Sequence, residues 1–228
     1  MPFASDTFAV SVPQRQLAVF DDAWAWLAEP GGSWTGAEKV AMAAVARAAA
    51  SRPLWDRRPS TIDHLPTVAS AGEDLSPLVV DTVERVTAEA GEIRREWAEA
   101  VIAALGDAAY AELVAVVATV VPIDRAGALL GRPIEPLPHP RPGDPTGERA
   151  EATIDIGAFL PAAAGFEGAN IARSLSVAPT ANAMRLRIVR ALYSGTRFDQ
   201  LRWDDGALSR PQVELVAART SALNECFY

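Results

Sequence analysis

The sequence holds one cysteine, Cys226, and two histidines, His64 and His139, among 228 residues. A lone cysteine cannot close a disulfide within these residues and suits a reducing compartment, so a cytoplasmic location is expected. Two separated histidines supply too few ligands for a metal site, and no metal or other cofactor is expected. Aromatic residues make up only 7% and β-branched runs are short, which leaves little from which to build sheet. Basic residues are also scarce: 21 against 29 acidic, a formal charge of -8. Without a basic stripe to displace counterions, nucleic acid and anionic membrane surfaces are excluded as expected partners. The longest apolar run, residues 113–123, has about half the length a bilayer-crossing helix needs and contains Pro122. No basic segment precedes an apolar core near Met1, so a signal peptide is not expected either.

What the chain has is alanine. Half of its residues are apolar and many of these are alanine, the best helix former, so the expected class is all-α. A chain of this length can bury a sizeable core without staples. Start and stop signals divide it. A helix over residues 15–28 ends at Glu29-Pro30-Gly31-Gly32, and Thr35-Gly36-Ala37-Glu38 has the form of a capping box that opens a helix to about Ser51. Ser76-Pro77 opens another, running to near Gly91, because a hydroxyl can cap the helix and proline loses nothing in a first turn. Residues 93–105 place Trp97, Val101 and Ile102 on one side and mostly charge on the other, and Gly106 closes them. Residues 108–130 are apolar nearly all round, which predicts a central buried helix, kinked or broken near Pro122.

Prolines at 133, 136, 138, 140, 142 and 145 then forbid helix and predict an extended, stiff connector. Further helices are expected over 169–176 and 180–194, with a last one from Ser209. The expected organisation is a helical first repeat over residues 1–132, a connector over 133–168 and a partial second repeat over 169–228, packed as one globular unit. The repeat rests on an echo: with Thr35 set against Ser209, both segments open on a capping hydroxyl, carry Glu38 or Gln212 three positions on, and share Ala43-Ala44 with Ala217-Ala218. In that register Val40 falls opposite Glu214 and Arg52 opposite Cys226, so only the later segment has both an acid and a thiol.

Glu214 lies within an apolar helical stretch, twelve residues before Cys226. On one straight helix that spacing is roughly 18 Å, too far for a proton to pass. A turn at Leu223-Asn224 would shorten it and set Cys226 at the start of a new helix. There the helix dipole favours thiolate and a nearby carboxylate can take the proton, although Glu225 would work the other way. Otherwise Glu214 is a structural acid paired with Arg210 or Arg219, and burial would argue against that.

The string LSRPQVELVAARTSALNECFY resembles the alkylhydroperoxidase D-like branch of the carboxymuconolactone decarboxylase family, which is all-helical and commonly oligomeric. Tyr110-Ala111-Glu112-Leu113-Val114 through Gly131 is similar to that family's long central helix, and residues 171–193 to the segment before its motif. The resemblance implies a homo-oligomeric thiol oxidoreductase that reduces hydroperoxides at the expense of a dithiol reductant. In it Glu214 relays protons and Cys226 is the first cysteine of a Cys-x-x-Cys. The family's second cysteine, thought to attack the peroxide, and its histidine would fall after Tyr228. Either the chain is cut short or the activity is lost, and the alternative is a helical scaffold or small-molecule binding protein of the same fold. Decarboxylase or isomerase chemistry on a lactone-like substrate, known in the wider family, fits this redox-type string least.

Overall fold

The computed structural model describes residue 3 and residues 12–52, 75–192 and 208–223. These residues are mostly helical, in the order α1 (Gln14–Ala28), α2 (Gly36–Ala50), α3 (Pro77–Ala88), α4 (Arg95–Leu105), α5 (Asp107–Leu129), α6 (Asn170–Arg173), α7 (Pro179–Leu192) and α8 (Arg210–Leu223). The capping box at Thr35 forms in full: Glu38 N–H donates to Thr35 Oγ1 at 3.2 Å, and Thr35 N–H donates to Glu38 Oε2 at 2.8 Å. Ser76 caps α3 by accepting from Val79 N–H, ahead of Pro77 at the first helical position. Gly106 separates α4 from α5 with φ +93°, a conformation that only glycine adopts freely, and the two helix axes bend there by 111°.

α5 is the axis of the fold. It packs against α1, α2, α3, α4 and α7, so each of its sides meets a different apolar partner. Tyr110, Ala111 and Ala115 join Trp97 and Val101 of α4 with Val177, Ala178 and Ala181; Leu113, Val116 and Val120 join Met42, Ala43 and Ala46 of α2 with Val79 and Val83 of α3. Ile123 joins Phe20 and Trp24 of α1 with Met184 and Ile188 of α7. This triple use explains an apolar pattern without a polar face. α5 is one continuous helix through Pro122, so of the kink or break expected there the break does not occur. Packing of Val120 and Ile123 on either side holds its course despite one missing hydrogen bond.

The proline-rich segment after α5 is non-helical, as its composition requires, and it lies back over the α1–α2 turn. Arg141, Thr146 and Gly147 each donate a backbone N–H, at 2.8 Å, to the carbonyls of Ala28, Gly31 and Gly32. Residues on both sides of it share one hydrophobic cluster. Beyond it Thr153–Ile154 (β1) pairs antiparallel with Ala162–Ala163 (β2), a small hairpin without the β-branched alternation that would announce it. The helix expected over 169–176 is reduced to the single turn of α6. Among the described residues no single helix is long and apolar enough to cross a membrane.

Candidate functional site

The most unusual chemistry among the described residues is buried between α2 and α5. The α2 stripe facing the core is Lys39, Met42, Ala43, Ala46 and Ala49, so a lysine stands where the helical period demands an apolar residue. Its side chain is fully buried. Nζ donates to the Trp26 carbonyl at 2.7 Å and lies 3.8 Å from the centroid of the Trp26 ring, a cation–π contact. It is also 3.8 Å from Glu112 Oε1. Glu112, the only acid in the apolar first half of α5 beyond its opening residue, is 1% exposed.

The two Glu112 oxygens differ. Oε2 accepts the backbone N–H of Ser33 at 2.7 Å, whereas Oε1 is buried and accepts no hydrogen bond. Gly31 makes this possible, because a Cβ there would overlap Oε1. Burial pushes the Glu112 carboxyl above its ordinary value, opposed by the Ser33 N–H, Lys39 and the Trp34 N–H and reinforced by Glu148. Burial likewise pulls Lys39 down to about 8, opposed by Glu112 and Glu29. Proton affinities that differ widely in water are thus brought closer together.

Glu112 and Trp26 line a cavity of about 210 Å³, shared with Pro30, Gly31, Ala178 and Ala181. Its polar groups are Glu112, Thr146, Thr180 and Glu148, whose carboxylate accepts both the Thr180 N–H at 3.1 Å and the Thr180 hydroxyl at 2.9 Å. An apolar wall with a few converging polar groups and shifted proton affinities is the ordinary make-up of a small-molecule site. The periodicity of α2 and α5 carries a signal for it: a lysine at the head of an apolar stripe and a solitary acid in an apolar helix must be buried, and buried charges pair.

The acid singled out by sequence stands elsewhere. Glu214 lies on α8 with its side chain 44% exposed and 3.6 Å from Arg210 Nε, an i, i+4 pair on the helix surface. That is the arrangement of the structural acid weighed above. No residue of α8 is buried. Ser209 repeats part of the Thr35 cap, its N–H donating to Gln212 Oε1 at 2.8 Å with the two side chains 3.0 Å apart. Cys226 and the turn expected at Asn224 lie outside the described residues, as does His64, while His139 is exposed. No group of three or more His, Cys, Asp or Glu placed to hold a metal occurs among the described residues. Compared with protein-family models, curated proteins and solved structures, the chain matches none.

Proposed function

We propose that this chain is a thiol oxidoreductase of the alkylhydroperoxidase D-like type, with Glu214 as proton acceptor and Cys226 as one half of a dithiol. The observation that carries the reading is the register of α8. Its Ser209–Gln212 cap uses the same atoms as one half of the Thr35–Glu38 box, and this sets Glu214 on the second turn with its carboxylate open to solvent. A solvent-open carboxylate can exchange a proton with a thiol brought to it. The reaction oxidises two thiols to a disulfide and reduces the hydroperoxide to an alcohol and water. Its second thiol can come from a dithiol reductant, and a homo-oligomer belongs to the same reading.

The test is hydroperoxide consumption by the full chain with a dithiol reductant. Cys226→Ser should lower the rate to that of the reductant alone, and Glu214→Gln should slow it by about a hundredfold. A catalysed rate that Cys226→Ser leaves unchanged would sink the proposal. Protein that consumes no hydroperoxide leaves the second reading, a helical binding protein without thiol chemistry. One observation favours that reading: the Glu112 cavity, whose lining among the described residues carries no thiol.

A further inference from the structure

The groove where α7 lies against α1 reverses the charge of the chain. Residues 170–192 carry four arginines and no acid, in a sequence whose formal charge is -8. Two of the four, Arg187 and Arg190, line a cavity of about 200 Å³ together with Ala191 and with Arg15, Gln16 and Val19 of α1. That lining holds three guanidinium groups and no carboxylate, the opposite of the Glu112 cavity with its two glutamates. Charges of one sign gathered in a cleft focus their field on whatever enters it. Asp22, outside the lining, answers one of the three by pairing with Arg187. The guanidinium of Arg190 has neither a hydrogen bond nor an ion pair among the described residues.

The walls of this groove are tied together. Gln16 Nε2 donates to the Ala191 carbonyl at 2.6 Å, a bond from the first turn of α1 to the last turn of α7. The same bond occupies a carbonyl at the end of α7 that would otherwise face an entering anion. Val19, Ala191 and the methylene stems of the arginines supply apolar surface between the charged heads. Chemistry then selects the occupant. An ammonium ion is repelled and an alcohol leaves the charge unanswered, whereas a carboxylate matches the guanidinium fork in both charge and geometry. A dry cavity of about 150 Å³ encloses one benzene ring, so a space of about 200 Å³ takes one ring or a short chain with a carboxylate head. We propose that this groove is a binding site for a small organic carboxylate, its oxygens accepting from Arg190 and Arg15 and its hydrocarbon part lying on Val19 and Ala191.

The proposal does not rest on thiol chemistry. Its test is titration calorimetry on the full chain at neutral pH and low salt with three ligands of similar shape: benzoate, benzyl alcohol and benzylammonium. Benzoate should bind saturably with one site per chain, raise Tm with concentration and weaken as salt is added. Benzyl alcohol should bind at least about tenfold more weakly, the worth of a charged hydrogen bond, and benzylammonium should not compete with benzoate. Arg190→Gln should weaken benzoate about tenfold or more and Arg15→Gln severalfold. Both side chains are exposed, so these variants should fold as the parent does. Arg190→Lys keeps the charge without the fork and should fall between the parent and Arg190→Gln. Cys226→Ser should bind as the parent does, which separates this site from the thiol reading. Equal affinity for the alcohol, competition by benzylammonium, affinity unchanged in either glutamine variant, or no saturable binding of benzoate would each overturn the proposal.

Discussion

α2 and α8 begin alike and end in different surroundings. Each opens on a hydroxyl residue whose N–H donates to a side chain three positions on, and each continues through alanine, valine and a few charges. Yet α2 buries six of its residues, including a lysine, while α8 buries none and leaves Leu215 71% and Val216 60% exposed. The difference lies outside both helices. α2 meets α5, α3 and α1, whose apolar sides complete its stripe and enclose whatever charge falls on it. Local pattern decides that a helix forms and where it starts; the partner decides whether a charge on it is a surface ornament or a buried, coupled group.

The comparison can be broken most sharply at its two charged positions. Lys39→Met should destabilise the protein by about 3–5 kcal/mol, because it leaves Glu112 buried without its counter-charge. Glu214→Gln removes an exposed helix pair and should change stability by less than about 0.5 kcal/mol. Urea unfolding of the two variants measures both, and equal costs would mean that the partner is not what distinguishes the helices. Lys39 should also leave a mark in pH. Its folded value of about 8 lies below the ordinary 10.5, so between these values the unfolded chain holds a proton that the folded protein has released. Stability contributed at this site therefore rises as pH climbs from about 8 to 10.5. The parent should gain on Lys39→Met over that window, and parallel stability curves would remove Lys39 as the titrating group. The smallest contrast is at the caps. Thr35→Ala should cost about 1 kcal/mol in global unfolding, whereas Ser209→Ala should cost a few tenths at most, since no residue of α8 is buried.

Helix positions were well marked in the sequence because capping chemistry is local. Thr35, Ser76 and Gly106 each act within three or four residues, and the observed helices start or stop at them. The course of α5 through Pro122 and the hairpin at Thr153–Ala163 were not so marked, since both are held by packing and pairing with other segments. The polar site was half visible. Lys39 and Glu112 each violate their own helix's pattern, but that the two violations meet is a contact across 73 positions, and no local rule contains it. For Glu214 the apolar neighbours suggested a buried face, yet no residue of α8 is buried and the carboxylate pairs with Arg210 at the helix surface.

The strap formed by Arg141, Thr146 and Gly147 has a consequence for how the protein is made. Everything that holds Glu112 and Lys39 together, from Trp26 to α5, has been synthesised by residue 129, whereas Thr146, Glu148, Ala178 and Ala181 come later. At about 5–20 residues per second the ribosome delivers Ala181 roughly three to ten seconds after α5 is complete. Until those later residues are added the chain holds both members of the charged pair but not the wall that lies beside Glu112 across the cavity.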